Sequence, residues 1–505
     1  MILTGPGAGP TVSSEPVVPS FSTVGELAAA VPGVVLFGDP TVRVLEASCD
    51  SRDVVLGSVF FCIRGEAADG HAFAREAVSA GAVALVVDHR LNDIDVPQLL
   101  VPSVRAVAGP LAAAIFGHPG RDLTLAGFTG TNGKTTSTYL MESVFTALGI
   151  TPGVVGTTGA RVNGQPVPLA RTTPEAPDLQ RLLARMRDAG VGAVALEISS
   201  HALDQHRVDG FTVDVAVFTN LSQDHLDYHP DMTHYFEAKA KLFTPNHAKA
   251  GVVNLDDGFG RKLAARASVP ITTIGVEATD ADLVATDVRV DGKGIGFRAD
   301  GLTIHSALLG AFNVSNCLGV IAAARQLGID DPSIVAGIAA LEGVPGRVQA
   351  LDEGQDFLVV VDYAHTPDSI QTVLRAVRPL IPGNLICVFG CGGDRDRAKR
   401  PLMGEAATRT ADLTVITSDN PRSEDPLEII RQIETGAAQG GGEFVSLVNR
   451  RAAIRLAVRH AGSGDAVVIA GKGHETYQEI GGAQVPFDDR AVTRAELAEL
   501  VGERS

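Results

Sequence analysis

A glycine-rich segment with one lysine and three threonines is the part of this chain best suited to chemistry: Gly130-Thr-Asn-Gly-Lys-Thr-Thr136. It follows an apolar run typical of a buried strand. It precedes a stretch whose apolar residues recur at helical spacing, Leu140, Val144, Phe145 and Leu148, before a stop at Gly149. In a strand, loop and helix in this order, backbone N–H groups converge on a point that suits an anion. Lys134 adds a charge for terminal phosphates and the Thr135 hydroxyl can ligate Mg²⁺, so the segment predicts an ATP site.

The loop differs from the general phosphate loop, G-x-x-x-x-G-K-[ST], which would place a glycine at Phe128. The alternative is a chance Gly-Lys-Thr in a surface turn, but the predicted strand and helix on either side argue against it. The residues predicted to contact the nucleotide phosphates are Gly130, Thr131, Asn132, Gly133, Lys134, Thr135 and Thr136.

Acidic residues follow two further apolar runs of buried-strand type. Glu197 ends the first run, and an acid at a strand tip beside a phosphate loop predicts a second Mg²⁺ anchor. The alternative is an acid at a helix N-terminus. The second run, 213–220, leads to Asp224, His225 and Asp227. Because Mg²⁺ prefers oxygen, residue types alone do not select His225 over the two aspartates.

A lysine falls on the apolar face of the helix predicted over 234–243. At about 100° per residue, Lys239 shares a face with Tyr235, Leu242 and Phe243, whereas Lys241 points elsewhere. A lysine on a buried face needs a reason, and the simplest is a stem that carries its charge back to water.

The elements that position these residues divide the chain into three α/β regions. A length of 505 residues suggests three domains at about 100–200 residues each. Strands are predicted at 58–63, 82–87 and 98–101, with helices at 73–80 and 107–116, and after the phosphate loop short β segments at 283–290 and 294–297 precede a helix at 316–327. The last region has strands at 357–361, 385–389, 413–417 and 466–470, each ending in a polar turn, where open parallel sheets place ligands. Gly343–Gly346 is a predicted hinge.

Composition excludes several classes of protein. A net charge of −17 argues against nucleic acid as the main partner, and no apolar run approaches the roughly 18 residues of a membrane span. Residues 1–20 look like a disordered lead-in and not a signal peptide. The five cysteines are scattered without metal-site spacing, which favours a reducing cytoplasm: Cys49, Cys62, Cys317, Cys387 and Cys391. We expect a monomer.

These motifs, in this order, resemble those of the Mur ligases, which build the peptide of bacterial cell-wall precursors. The resemblance runs from about residue 45 to the C-terminus and continues at 310–316, 346–347, 362–367, 390–396, 419–422 and 470–475. It implies a three-domain α/β fold. The expected domains are a uridine-nucleotide domain at 21–122, a central P-loop ATPase-type domain at 123–345, and a C-terminal Rossmann-like, amino-acid-binding domain at 346–505.

The resemblance also implies roles for matching positions around ATP. Asn313 would contact adenine, Asp362 the ribose and Arg347 the phosphates. Thr135, Glu197 and His225 would hold Mg²⁺. Lys239 would carry a carbamate (N6-carboxylysine), which explains an inward lysine because the modification turns a cation into a carboxylate. The implied catalytic residues are Lys134, Lys239, Arg347 and His225.

Two further sets of positions match substrate contacts in the family. In the first domain, Ser51 and the turn 66–68 match a uridine-nucleotide site, although Glu66 and Ala67 replace the His and Gln of some relatives. Contacts to a muramoyl-dipeptide are matched by Thr172, Thr173, Ser199, Gln205 and Arg207. The expected partners are therefore UDP-N-acetylmuramoyl-dipeptide and the amino acid that is added to it.

The segment Asp419-Asn-Pro-Arg422, after a predicted strand, indicates which amino acid is added. Diaminopimelate has a carboxylate and an ammonium at its far end, and lysine lacks that carboxylate. A guanidinium holds a carboxylate bidentately and an acid holds an ammonium, so this segment predicts meso-diaminopimelate. The matching positions are Arg395, Asp419, Asn420, Pro421, Arg422, Gly471 and Glu475. The alternative for Arg422 is a surface-loop arginine.

The implied reaction is ATP-dependent ligation of meso-diaminopimelate to the γ-carboxylate of the D-glutamyl residue through an acyl phosphate. A lysine-adding homologue and a folylpolyglutamate synthetase-like ligase remain alternatives within this chemistry. A regulatory ATP-binding switch without ligation is the alternative from another class.

Overall fold

The computed structural model describes residues 23–65 and 68–504 as an α/β chain with three large sheets. The predicted lead-in at 1–20, and Glu66 and Ala67 of the predicted nucleotide turn, lie outside the described residues. No helix within the described ranges is both long and apolar enough to cross a membrane.

The first sheet has five strands in the order β1-β5-β4-β3-β2, parallel except for β1. Its elements are α1 Val24–Ala30, β1 Val35–Phe37, β2 Glu46–Ser48, β3 Ser58–Phe61, α2 Ala74–Ala80, β4 Ala82–Val87, β5 Gln98–Leu100 and α3 Val104–Ile115. Helix α3 begins three residues before the prediction because the Ser103 side chain accepts a hydrogen bond from Ala106 N and caps it.

The central sheet has nine strands in the order β14-β13-β12-β11-β6-β10-β7-β8-β9, beside a three-stranded antiparallel sheet, β15-β16-β17. Its elements are β6 Thr124–Thr129, α4 Lys134–Ala147, β7 Pro152–Gly156, β8 Gly159–Val162, β9 Gln165–Val167, α5 Ala176–Asp188, β10 Ala193–Glu197, α6 Ser200–Asp204, β11 Val213–Phe218, α7 Met232–Ala240, β12 Ala248–Asn254, α8 Gly258–Ala264, β13 Ile271–Gly275, β14 Leu283–Val284, β15 Thr286–Asp291, β16 Gly294–Ala299, β17 Leu302–Ser306, α9 Phe312–Gln326 and α10 Asp331–Ala340.

Strand β6 lies between its parallel neighbours β10 and β11. Carboxyl ends of adjacent parallel strands meet at one edge of a sheet. The glycine-rich loop after β6, Glu197 at the end of β10, and the polar segment after β11 therefore emerge side by side.

The C-terminal sheet has six strands in the order β18-β19-β23-β20-β21-β22, parallel except for β18, and a separate hairpin, β24-β25. Its elements are β18 Gln349–Ala350, β19 Leu358–Asp362, α11 Pro367–Val377, β20 Leu385–Phe389, α12 Lys399–Thr410, β21 Leu413–Thr417, α13 Pro426–Gly440, β22 Glu443–Leu447, α14 Arg450–His460, β23 Ala466–Ala470, β24 Tyr477–Ile480, β25 Ala483–Pro486 and α15 Asp489–Arg504.

Helix α3 of the first region packs against α5 of the central region and closely approaches the loop at Asp209. A Cβ at Gly109 would lie 2.0 Å from the Asp209 carbonyl oxygen, so only glycine fits there. The Arg181 guanidinium, on α5, lies 3.0 Å from the Glu46 carboxylate. These contacts hold the first sheet against the central one.

A fully buried ion pair ties together two strand ends of the C-terminal sheet. Arg450 Nη2 lies 2.6 Å from Asp489 Oδ2, and neither side chain is exposed. The same guanidinium donates to the carbonyl oxygens of Ala470, at the end of β23, and Ser418, which follows β21. The pair thus fixes the positions of the loops that follow both strands.

Replacing Arg450 by methionine should destabilise this domain by about 3–5 kcal/mol, because Asp489 would be left buried without its partner. Urea unfolding followed by circular dichroism is expected to shift to lower urea. The matched control is Arg451→Met, because the Arg451 side chain is exposed and its guanidinium lies 3.6 Å from the Glu496 carboxylate. Coincident unfolding curves for the two variants would contradict a structural role for the pair.

Candidate active site

A cleft of about 1440 Å³ is lined by residues of all three regions. Loops after β6, β10 and β11 of the central sheet form one side. Loops after β19, β20, β21 and β23 of the C-terminal sheet form another. Both sets lie at the carboxyl ends of parallel strands, where open α/β sheets bind their ligands.

The glycine-rich loop has the backbone shape that the phosphate prediction requires. Gly130 and Gly133 have φ values of +147° and +89°. A Cβ on Gly133 would lie 2.4 Å from Asn316 Oδ1, and one on Gly130 would lie 1.9 Å from Thr219 Oγ1. Both positions therefore need glycine. Phe128 is buried inside β6, so the missing glycine of the general pattern falls in the strand and not in the loop.

Lys134 stands at the start of α4 with its ammonium folded onto the loop. Its Nζ donates to the carbonyl oxygens of Gly130 and Thr131, each at 2.9 Å. Burial lowers the pKa of Lys134, and the nearby Arg347 acts in the same direction, against the opposing effect of Glu197. A polyanion bound at the helix N-terminus would stabilise the charged lysine.

Lys239 lies on the buried face of α7, as its helical spacing predicts. Only 1% of the residue is exposed, and Nζ donates to the Gly130 carbonyl oxygen at 2.8 Å. The ammonium therefore does not reach water, and the simple explanation of a snorkelling stem is wrong. Burial and Lys134 lower the pKa of Lys239 well below its usual value, which favours the uncharged amine. Lys241 instead pairs with Asp204 at the surface.

The proposed Mg²⁺ ligands all line the cleft. The buried Glu197 carboxylate accepts hydrogen bonds from Thr157 N and Thr157 Oγ1, each at 2.9 Å. His225 has φ +56°, an uncommon value outside glycine, and burial holds its pKa far below the usual value. A neutral imidazole, a carboxylate and the Thr135 hydroxyl make a donor set that fits a divalent cation.

Among the described residues, a three-member group of close His, Cys, Asp or Glu donors occurs elsewhere, at His71, Asp88 and His89 of the first region. The Arg64 guanidinium already balances Asp88 at 2.9 Å, and we assign no metal there. Among the described residues that line the cleft, no three such donors lie this close together. This suits Mg²⁺, which takes much of its coordination from substrate phosphates and water.

The predicted adenosine contacts are engaged with the protein itself. Both carboxylate oxygens of Asp362 accept backbone N–H groups, from Val348 and Ala364 at 2.7 Å, and burial raises the Asp362 pKa. The Asn313 amide donates to the Leu309 carbonyl oxygen and accepts from Asn316. Carboxylate and carbonyl oxygens accept more than one hydrogen bond, so their roles towards ATP stay predictions.

The central and C-terminal regions contact each other across the cleft. Arg347 Nη2 donates to Thr135 Oγ1 at 3.0 Å, and Asn132 Nδ2 donates to Asp368 Oδ2 at 3.3 Å. His365 Nε2 lies 4.0 Å from Asp224 Oδ2. The side chain of Arg347 thus reaches the phosphate loop from the far side of the predicted hinge.

The residues matched to the muramoyl-dipeptide form one hydrogen-bonded group. Arg207 donates to the Thr173 carbonyl oxygen and to Gln205 Oε1, and Thr173 Oγ1 donates to the Glu197 carbonyl oxygen at 2.8 Å. Ser199 accepts from Ala202 N, and Thr172 lies 3.2 Å from Thr157, oxygen to oxygen. Ser51, in contrast, donates to Glu76 and is not among the lining residues, although Asp50 and Asp53 are.

The segment 419–422 forms a charged pocket at the C-terminal side of the cleft. Arg422, with φ +52°, lies 3.0 Å from Glu479 through Nε and donates to the Gly393 carbonyl oxygen through Nη1. Glu475 accepts from the Asn420 amide at 2.8 Å. The matched lining residues here are Arg395, Asp419, Asn420, Arg422, Gly471 and Glu475, whereas Pro421 is not in the lining.

Sequence reasoning left out some of the charged and polar groups at the site. Lys472 is fully buried beside Asn420 and Glu475. It lies within the motif at 470–475, but the sequence did not predict it as a site residue. His365 and Thr157 also reach the cleft, as does Asp224, whose carboxylate accepts a hydrogen bond from His225 N at 2.9 Å. Only the fold brings these groups to Glu197 and the loop.

The glycine-rich loop follows β6, which lies between two parallel strands, and faces the C-terminal sheet across the cleft. This arrangement is typical of α/β proteins that bind phosphate groups. Family models for the "Mur ligase family, catalytic domain", the "Mur ligase middle domain" and the "Mur ligase, glutamate ligase domain" match residues 46–114, 128–324 and 346–473. The chain belongs to the Mur ligase family.

Relatives named UDP-N-acetylmuramoyl-L-alanyl-D-glutamate–2,6-diaminopimelate ligase resemble the chain over nearly their whole length. The protein of Geobacillus thermodenitrificans is 46% identical over 92% of this chain and 96% of its own. That of Streptomyces avermitilis is 45% identical over 99% and 100%. A solved structure with the same name is 35% identical over 95% of this chain and 100% of its own, with a TM-score of 0.68.

Proposed function

We propose that this chain joins meso-diaminopimelate to the γ-carboxylate of the D-glutamyl residue in UDP-N-acetylmuramoyl-L-Ala-D-Glu, using ATP. The observation that carries the proposal is the single cleft that holds both the glycine-rich loop and the Arg422–Glu475 pocket. Near-full-length relatives that bear this activity in their names support it. We also propose that the chain acts in the cytoplasm, because ATP and the nucleotide-linked peptide are found there.

The reaction proceeds in two balanced steps. A γ-carboxylate oxygen attacks the γ-phosphorus of ATP, the bond to the bridging oxygen breaks, and ADP leaves with an acyl phosphate formed. The uncharged amine of diaminopimelate then attacks the acyl carbon. The tetrahedral intermediate expels phosphate, and the amine loses its proton to leave an amide.

Phosphoryl transfer requires mostly positioning and charge neutralisation. Lys134 and Arg347 supply two positive charges from opposite sides of the cleft, and the amides at the start of α4 surround the phosphates. Thr135, Glu197 and His225 would hold Mg²⁺, which when bound neutralises phosphate oxygens. The Lys239 amine would add to the carbon of CO₂ and lose a proton, giving a carbamate beside Gly130.

Release of phosphate from ATP tests the proposal, with UDP-N-acetylmuramoyl-L-Ala-D-Glu and either meso-diaminopimelate or L-lysine as acceptor. We expect turnover with diaminopimelate only. A preference for lysine would support the ligase activity but contradict the role proposed for Arg422. Turnover on a folate without the uridine nucleotide would favour a folylpolyglutamate synthetase-like enzyme, and no substrate-dependent release would favour a regulatory switch.

Replacing Arg422 by alanine should raise KM for diaminopimelate by about 10–100-fold, because a bidentate partner for its distal carboxylate is lost. KM for ATP is expected to stay unchanged, and steady-state kinetics separate the two. Arg431→Ala, on an exposed face of α13, is the control. An equal rise in both KM values would contradict a pocket specific for the amino acid.

A further inference from the structure

A fully buried lysine lies beneath the amino-acid pocket. Lys472 has no exposed side-chain surface. Its Nζ donates to Asn420 Oδ1 at 3.0 Å and to Glu475 Oε2 at 2.8 Å. A buried ammonium is retained only where acceptors and a countercharge compensate its lost hydration. Both partners come from the two loops that line the pocket, so the lysine joins these loops from below.

The contacts of Lys472 leave one oxygen of Glu475 for a ligand. Glu475 Oε2 accepts from Lys472 and also from Asn420 Nδ2 at 2.8 Å. The carboxylate is thereby held in one orientation by two donors on one oxygen. Glu475 lines the cleft, and because both of these donors bind Oε2, we infer that Oε1 is the oxygen left for a cationic group.

The same network reaches the arginine that is proposed to hold a carboxylate. Asn420 Oδ1 accepts from Lys472 and from Glu479 N at 3.1 Å. The Glu479 side chain in turn holds Arg422 Nε at 3.0 Å, and the Glu479 carbonyl oxygen accepts from Arg422 N. A displacement of Lys472 would therefore disturb the acid and the arginine together.

We propose that Lys472 is a positioning residue that sets the distance and orientation between Glu475 and Arg422, and so determines the affinity for an amino acid with an ammonium and a carboxylate at its distal end. The inference rests on the proposed function. It concerns how the pocket is built, since Lys472 itself is too buried to touch the substrate.

The test is steady-state kinetics of Lys472→Met and Lys472→Gln, after thermal unfolding has been measured for each. We expect KM for diaminopimelate to rise by about tenfold or more, with KM for ATP and for the uridine nucleotide unchanged. If Lys472 only stabilised the fold, replacing it would change all three KM values or none of them. Lys249→Met is the control, because Lys249 is an exposed lysine paired with Asp214.

A double-mutant cycle with Glu475→Gln separates positioning from an independent effect. If Lys472 acts by positioning Glu475 as well as Arg422, the double variant loses less affinity than the sum of the two single losses. Additive losses would overturn the proposal, as would unchanged KM values. Unfolding of both Lys472 variants would also overturn it, because the lysine would then serve the fold and not the pocket. If the parent protein, without substitutions, did not turn over diaminopimelate, that result would instead reject the proposed function.

Discussion

Replacing Lys134 by methionine should lower kcat for ATP-dependent ligation by about 10²–10³-fold or more. The substitution keeps most of the apolar stem but removes the charge nearest the start of α4, where negative charge on the transferred phosphoryl group needs stabilisation. In the structure, Lys134 Nζ already lies 2.9 Å from two loop carbonyl oxygens, so it is held at the loop without a ligand. Phosphate release at saturating ATP measures the effect.

Lys262→Met is the matched control for this experiment. Lys262 lies on α8, exposed, with its ammonium 4.7 Å from the centre of the Phe259 ring. It should retain the parent rate and unfolding temperature. Activity of Lys134→Met within tenfold of the parent would show that the ATP site has been assigned wrongly.

Replacing Lys239 by alanine should cause a loss of similar size, about 10²–10³-fold in kcat, because the proposed carbamate could not form. Burial and Lys134 lower the pKa of Lys239, and the uncharged amine that this favours is the form that reacts with CO₂. Protein equilibrated with ¹³C-bicarbonate should show a carbamate signal by ¹³C NMR that is absent from Lys239→Ala.

The neighbouring lysine on the same chain segment provides the control for that signal. Lys241 is ion-paired with Asp204 at the surface, so Lys241→Ala should retain both the carbamate resonance and the activity. A carbamate signal that persists in Lys239→Ala would place the modification elsewhere. Loss of activity with no carbamate signal in the parent protein would leave Lys239 as an amine in the reaction.

Strand positions were predicted closely where apolar runs are bounded by polar turns. Four predicted strands, 82–87, 385–389, 413–417 and 466–470, agree with the structure residue for residue. Helix starts were less accurate. Helix α9 begins at Phe312 and not at 316, because an asparagine-containing first turn has no apolar periodicity to indicate it.

The position of these candidate site residues at strand ends was also predictable, since the glycine-rich loop and Asp419–Arg422 each follow a strand and Glu197 ends one. What could not be predicted is which distant groups would meet. Asp224 faces His365 only because two sheets face each other across the cleft, and Lys472 meets Asn420 through the pairing of separate strand ends. Such contacts depend on register and closure, which local sequence does not encode. The sequence likewise did not predict the left-handed backbone conformation of His225 and Arg422.

The separation of the sheets has an evolutionary consequence. Among the described residues, the strands that carry the glycine-rich loop and those that carry Asp419–Arg422 belong to different sheets and share no backbone pairing. The proposed ATP site and the proposed amino-acid pocket are thus carried by two separate sheets. Because backbone pairing in one sheet does not depend on the other, our proposal implies that substitutions in the C-terminal sheet can change the added amino acid while the ATP site is retained.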